Sequence, residues 1–257
     1  MRYSILYACV SHPGKVRRVN QDNFICNGQY MEPDGNALSF PLRGTCNCAE
    51  NPLFGVFDGM GGEQCGEVAA EIAARQASNL RVHGDGLDVL AAFCRRANRA
   101  ICDFSAQNGV TSTGTTAAML LFMKHKIFLC NIGDSKIFRF RRGQLEQLSM
   151  DHLCLAPFGV KPPLSQNLGL PPEEIKIEPY FLKLSYTPDD VYLICSDGLT
   201  DMVTNEEIQQ VLSSTPVESA AELLLEQALA KGGKDNTTIL LCKTEKEPFR
   251  LFQRKPV

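Results

Sequence analysis

Aspartates stand at the ends of short apolar runs at five places in this sequence, and that placement is the first sign of chemistry. Leu53-Phe54-Gly55-Val56-Phe57 leads into Asp58-Gly59-Met60-Gly61-Gly62, and Val191-Tyr192-Leu193-Ile194-Cys195-Ser196 leads into Asp197-Gly198. Residues 127–132 run into Gly133-Asp134-Ser135, while Asp22 and Asp235 stand just before the apolar runs 23–26 and 237–241. Apolar runs this short, with glycine at their ends, read as buried strands. In antiparallel sheets the end of one strand lies beside the start of its neighbour, so the five carboxylates can converge on one edge of the fold. Gathered there, they repel one another and some must protonate unless a cation compensates them. No histidine or cysteine adjoins the Asp-Gly turns. The implied donor set is all oxygen, which favours Mg²⁺ or Mn²⁺ over zinc.

A loop with three cations, Lys15, Arg17 and Arg18, precedes Asp22. Most basic loop residues are solvated surface, but an arginine fork beside a metal site captures a phosphate through two parallel hydrogen bonds. Carboxylates holding two hard ions a few ångströms apart suit an in-line displacement at phosphorus, with the ions polarising phosphoryl oxygens and acidifying a bridging water. Residue types and spacing therefore reach as far as a metal-dependent phosphoester hydrolase.

The elements that must position these groups alternate between strand and helix patterns. Residues 3–10 read as a strand, 11–14 as a turn and 27–52 as an irregular segment in which Cys46-Asn47-Cys48 lacks a partner pair at zinc spacing. Two helical stretches follow the Asp58 turn, near 63–80 and 86–108, the second with Leu87, Leu90, Phe93, Ala97, Ile101 and Phe104 on one face. Thr113-Gly114-Thr115-Thr116 opens a meander of runs 115–123, 127–132 and 136–141, closed by 145–152. His152, at its end, reads as a hydrogen-bonded loop residue rather than a catalyst. Residues 156–179 hold six of the 14 prolines and read as a surface flap. Thr204-Asn205-Glu206-Glu207 fits a capping box opening a helix to about Ser213. A last helix spans about 217–231, and Gly232–Asn236 turn into the final core strand, followed by a charged tail, 243–257. The reading is one domain over 1–257.

Composition sets bounds on partners. A net charge of −3 gives no basic footprint for nucleic acid. No apolar stretch reaches membrane-spanning length, and the first residues show no leader pattern. The 11 cysteines are scattered, mostly inside apolar runs, which suits reduced thiols in a cytoplasm better than a disulfide framework.

Six motifs in order carry a resemblance: Arg17-x-x-Asn20-Gln21-Asp22, Val56–Gly62, Gly114-Thr115-Thr116, Gly133-Asp134-Ser135, Ser196–Asp201 and Gly233–Thr238. Each is weak alone, but in this order the chain resembles the PPM family of metal-dependent (type-2C) protein serine/threonine phosphatases, in its compact bacterial form. The resemblance implies an α+β fold, an α-β-β-α sandwich of two mostly antiparallel sheets flanked by helix pairs. It implies hydrolysis of phosphoserine and phosphothreonine by direct attack of a metal-bridging water, with two or three Mn²⁺ or Mg²⁺ ions. By the same likeness Asp58 bridges two ions and the Gly59 carbonyl binds one of them. Asp197 and Asp235 complete the first ion, and Asp22 holds the site largely through metal-bound water. Asp134 with Asp197, assisted by Asp201, serves a third ion, and Arg17 binds the phosphate. The implied partners are phosphorylated Ser/Thr proteins and a companion kinase, with the protein a cytoplasmic monomer.

Two positions depart from the family pattern. Gln21 replaces a frequent acidic residue, and Met60 stands where some members carry a histidine proposed as the general acid. A thioether cannot donate a proton, so the leaving alkoxide is expected to take one from metal-bound water. Rival readings are weaker. A phospho-aspartate transferase needs a second Asp at position 60, and a dinucleotide-binding turn needs Gly at 64. A catalytically silent sandwich kept as a binding module would be marked by lost metal aspartates, and all are present.

Overall fold

A computed structural model of the chain describes residues 3–32, 36–38, 40–61, 65–111, 113–157 and 159–247. In chain order the elements are β1 (Tyr3–His12), β2 (Asp22–Cys26), β3 (Leu42–Asn47), a 3-10 turn (Cys48–Glu50), β4 (Leu53–Met60), α1 (Gly66–Ser78) and α2 (Gly86–Asn108). They continue with β5 (Gly114–Thr115), β6 (Ala117–Met123), β7 (Lys126–Ile132), β8 (Lys136–Arg141), β9 (Gln144–Gln147) and β10 (Tyr180–Ser185). The last are β11 (Val191–Cys195), α3 (Asp197–Thr200), α4 (Asn205–Ser214), α5 (Val217–Ala230) and β12 (Thr237–Lys246).

The strands form two antiparallel sheets, ordered β3-β1-β12-β11-β8-β9 and β10-β7-β6-β4-β2, with β5 paired to β4. Ile5, Phe24, Phe54, Phe122, Tyr192 and Leu240 pack between the sheets. Ile25, Phe57 and Met119 of the second sheet meet Ala73, Phe93 and Ile101 of α1 and α2 on its outer face. Leu193, Ile239 and Leu241 of the first sheet meet Ile208, Leu224 and Ala228 of α4 and α5. This is the α-β-β-α sandwich. Strands covered on both faces carry continuous apolar runs rather than alternation, which is why 23–26, 53–57, 118–122 and 191–195 look as they do. Edge-on ring contacts, Phe54–Phe122 and Phe122–Tyr192, each 5.9 Å between centroids, fill the middle; a fully buried aromatic of this kind contributes roughly 2–3 kcal/mol.

The expected capping box of α4 is present, with Glu207 N–H donating to Thr204 Oγ1 and the Glu207 carboxylate accepting from Thr204 N–H. An ion pair of a partly exposed arginine with a buried aspartate ties the strand edges: Arg141 donates twice to Asp190, at 2.6 Å each, and Asp190 also accepts from Thr187 N–H and the Tyr192 hydroxyl. All 11 cysteines are free thiols, and Cys46 and Cys48 are core residues. Among the described residues no helix is long and apolar enough to cross a membrane.

Several boundaries correct the sequence expectations. The segment 27–52 is not irregular throughout: β3 adds to the sheet edge, and Gly44 lets the Tyr7 ring lie against it, since a Cβ there would sit 2.5 Å from the Tyr7 hydroxyl. Strand β10 supplies the opposite edge of the other sheet. The final strand runs to Lys246, where a tail from 243 was expected, because its last residues pair with Tyr3 to Leu6. Residues 248–257 of that tail, the helix start near Glu63 and motif residue Gly62 lie outside the described residues. Asp58 sits inside β4 rather than at its end, because the Gly114-Thr115 strand extends the ladder past it.

Candidate metal and phosphate site

The register of β2 and β4 sets Asp22 directly opposite Asp58. A like-charge pair across neighbouring strands is unfavourable, so this register has to be held by something else. Asp58 is fixed through its backbone. Its N–H donates to Thr116 Oγ1 (3.0 Å), and its carbonyl accepts from Thr116 N–H (2.9 Å) and the Thr115 hydroxyl (3.0 Å). Thr116 is in turn bonded to the Ser135 hydroxyl at 2.7 Å, which joins the Gly114-Thr115-Thr116 and Gly133-Asp134-Ser135 motifs into one support. The next residue, Gly59, donates its N–H to the Gln21 carbonyl (3.0 Å). A Cβ on Gly59 would lie 2.2 Å from the Gly66 carbonyl oxygen, so only glycine fits there.

Asp22 is fixed through its side chain. Ser196, the last residue before Asp197, donates to Asp22 Oδ2 at 2.7 Å, while Ser196 Oγ accepts from Thr238 N–H at 2.9 Å. The other oxygen, Asp22 Oδ1, is buried with no hydrogen-bond partner. The Asp58 carboxylate likewise accepts no hydrogen bond among the described residues. A buried carboxylate oxygen left so, as Asp22 Oδ1 is, is costly, and a bound cation answers that cost.

Asp197 opens α3, and Gly198 behind it packs so tightly on the β12 lead-in that a Cβ would lie 2.0 Å from the Asn236 carbonyl oxygen. Asp235 sits in that lead-in. Asn236 fastens it to the basic loop, accepting from Gln21 N–H (2.8 Å) and donating to the carbonyls of Pro13 (2.9 Å) and Val19 (3.0 Å). Gly14 closes the same contact at φ +82°, where a Cβ would lie 2.5 Å from the Asp235 carbonyl oxygen. Arg17 is thereby delivered to Asp235, donating through Nε (2.9 Å) and Nη2 (2.8 Å). Its guanidinium is about half exposed, and of its five N–H donors three remain. Arg18 makes no such contact.

The electrostatics follow from this gathering. Burial pushes Asp58 well above the ordinary carboxylate range, reinforced by Asp22, Asp197, Asp134 and Asp235. Burial raises Asp22 to about 7, against the Ser196 hydrogen bond. Asp134 is raised to about 6, by burial and then by Asp197. Asp197 is also raised by burial, with a lysine opposing. That lysine is Lys161, from the flap-like segment: its ammonium contacts Asp197 and lies 3.1 Å from Asp201. Among the described residues no three acidic, histidine or cysteine side chains are drawn together closely enough to hold a metal ion as they stand. Two carboxylates are instead engaged by cations of the chain itself, Asp235 by Arg17 and Asp197 by Lys161.

The structure thus gathers Arg17, Asp22, Asp58, Gly59, Asp134, Asp197, Asp201 and Asp235 at one edge of the sandwich. His152 is a loop residue, as expected, with its N–H donating to the Gly133 carbonyl at 3.0 Å. The sequence reading gave no role to Asn236, Ser196 or Lys161. Asn236 and Ser196 lie beside motif aspartates and carry that signal; Lys161, in a proline-rich stretch, carries none. The donor set, hard oxygens with one orphaned buried atom and one unpartnered carboxylate, fits Mg²⁺ or Mn²⁺.

The chain is similar to known proteins. The sequence profile of the family described as Protein phosphatase 2C matches residues 42–232. The chain is 31% identical over 210 residues to the serine/threonine protein phosphatase PstP of Mycobacterium tuberculosis, covering 74% of this chain and 40% of that relative's length. It is 26% identical over 250 residues to the serine/threonine phosphatase Stp of Listeria welshimeri, covering 90% of this chain and 92% of the relative. Among solved structures, the PstP catalytic domain in complex with two manganese ions superposes with a TM-score of 0.77 at 27% identity, over 95% of this chain and all of that one.

Proposed function

The chain belongs to the protein phosphatase 2C family, and we propose that it is a metal-dependent protein serine/threonine phosphatase whose single catalytic domain releases phosphate from phosphoserine and phosphothreonine. The carrying observation is the Asp22–Asp58 pair, set in register with buried Asp22 leaving one oxygen orphaned and the half-buried Asp58 carboxylate without a donor. Asp58, Asp197 and Asp235, the Gly59 carbonyl and Asp22 would hold two ions of Mn²⁺ or Mg²⁺, with Asp134 and Asp201 available for a third. When bound, the ions supply Lewis acidity toward phosphoryl oxygens and lower the pKa of water at the site.

The remaining work falls to the chain. Arg17, pinned by Asp235 through two of its N–H groups, keeps donors for the substrate phosphate and sets its orientation. Rigid backbone around Asp58 and Gly59 fixes the carboxylate without reorganisation at the moment of reaction. Met60 is partly exposed beside the site and has no proton to give, so the leaving alkoxide is protonated by water. Opposed to a Ser/Thr kinase in a cytoplasm, and acting as a monomer, the protein would reverse phosphorylation of client proteins.

The test is phosphate release from a phosphothreonine peptide with Mn²⁺, with Mg²⁺ and with EDTA, alongside Asp58→Asn and Asp197→Asn. Ion-dependent turnover lost in both variants is the expected result. Folded protein that binds Mn²⁺ yet turns over no phosphoester would overturn the reading in favour of a silent binding module.

A further inference from the structure

Two adjoining concavities lie along α2. The first, of about 460 Å³, begins at Met60 and Gly114, next to the aspartate edge, and is floored by the C-terminal half of α2. The second, of about 1010 Å³, continues toward the N-terminal end of α2 under the last part of the flap segment, and both share Arg99, Asp103 and Pro172. Together they form a track leading away from the phosphate site. Its far part has an apolar floor that includes Ile175, Ile177 and Phe181, and carries Arg95, Arg96, Arg99 and Lys176 against the single carboxylate of Asp103. Arg95, Arg96 and Lys176 make no ion pair among the described residues, and Arg99 has only a loose one, 3.9 Å from Asp103. This concentration of positive charge stands on a chain whose net charge is −3.

We propose that the track is a docking groove for an acidic, partly apolar segment of the phosphoprotein substrate, at a distance from the phosphorylated residue. The inference rests on the phosphatase reading and adds to it a substrate preference. Unpaired cations on an apolar floor, continuous with the reacting edge, match a carboxylate-bearing extended peptide by charge and shape. The near part has Arg99 with Asp103 and Glu173, which offers no net attraction, so the acidic residues belong at the far end. From Ala106 to Arg95 the helix rises roughly 16 Å. An extended chain covers that in about five residues. With the approach from Met60, the acidic run should lie about five to eight residues from the phosphoresidue.

The experiment uses the full chain with Mn²⁺ and three phosphothreonine peptides: one with neutral flanks, one with four Asp/Glu residues placed five to eight positions C-terminal, and one with them N-terminal. para-Nitrophenyl phosphate serves as a substrate too small to reach the groove. One acidic peptide should show kcat/KM about tenfold above the neutral peptide, mainly through KM. The Arg95→Glu/Arg96→Glu variant should lose that gain while hydrolysing para-nitrophenyl phosphate at the original rate. Equal kcat/KM for all three peptides, with para-nitrophenyl phosphate turned over normally, would overturn the groove and leave the phosphatase reading intact. If no phosphoester is turned over, that reading falls. The groove is then judged by fluorescence anisotropy of the unphosphorylated acidic peptides, whose equal binding to protein and variant would overturn it as well.

Discussion

Asp22→Asn should have opposite effects on the metal-free protein at the two ends of a modest pH range. In the folded chain without metal, burial raises Asp22 from 3.8 to about 7; the hydrogen bond from Ser196 opposes the rise, and Asp197 and Asp235 add to it. The folded state therefore holds a proton that the unfolded state releases near pH 4. Its contribution to stability is fully present below that point and is lost as pH rises through about 7. At about 1.36 kcal/mol per pH unit the full swing is about 4 kcal/mol, an upper figure because neighbouring carboxylates share the titration. Asparagine carries no charge at any pH in this range. Its carbonyl can accept from Ser196, but its amide replaces the orphaned Oδ1 without an acceptor, at a cost of about 1–3 kcal/mol. In EDTA, Asp22→Asn should be less stable than the parent by about that amount at pH 4 and more stable by a similar amount at pH 8.

The chain has no tryptophan, so urea unfolding is best followed by far-ultraviolet circular dichroism, from pH 4 to pH 8. Repeating the series in Mn²⁺ should reverse the order at pH 8, since the parent gains stability by mass action and the variant gains less. A difference between parent and variant that stays constant from pH 4 to 8 in EDTA would refute the claim that Asp22 is a strained carboxylate in the metal-free fold.

Three further outcomes follow from contacts elsewhere. Asp190→Ala should cost about 2–3 kcal/mol in urea unfolding, because it takes the acceptor from the partly exposed Arg141, from Thr187 N–H and from the buried Tyr192 hydroxyl. Burial pushes Asp190 up, but Arg141 and Thr187 outweigh it and hold it below the ordinary range; the parent should therefore keep this contribution above pH 4 and lose it only in stronger acid. Lys161→Ala should tighten Mn²⁺ binding by about two- to fivefold in isothermal titration, a half-exposed ion pair being worth less than about 1 kcal/mol; unchanged affinity would show that the lysine does not compete. Arg17→Lys should lower kcat/KM for a phosphopeptide by about 10–100-fold, since a point charge replaces the two-pronged fork, and a change under about twofold would remove Arg17 from phosphate binding.

How much of this was legible in the sequence depended on the range of the interaction. The aspartates were readable because strand ends in an antiparallel sheet must lie together, and the Asp22–Asp58 register realises that rule directly. The buried strands were readable because cover on both faces forces unbroken apolar runs. Edge strands β3 and β10 were not: their residues are half-exposed, and only the partner strand makes their weak alternation a strand. Asp58 was expected at a strand end because its glycines look like a turn, yet β5 supplies partners that carry β4 past it. Lys161 was beyond reach altogether, since its approach to Asp197 depends on the path of a proline-rich loop with no periodicity to follow.

That last contact bears on how the fold tolerates its own site. Asp235 and Asp197, on the flanks, each have an internal cation, while Asp22 has one hydroxyl and Asp58 no donor to its carboxylate. The residues locking Asp58 act on its backbone alone, through Thr115 and Thr116. Geometry is thus specified by neutral groups, and charge is left uncompensated at the centre. Donors aimed at the central carboxylates would relieve the repulsion, but they would also occupy the lone pairs that a divalent ion needs. The stability lost at this edge is offset by the three apolar layers of the sandwich, and the unbalanced charge that remains is what a hard cation would compensate.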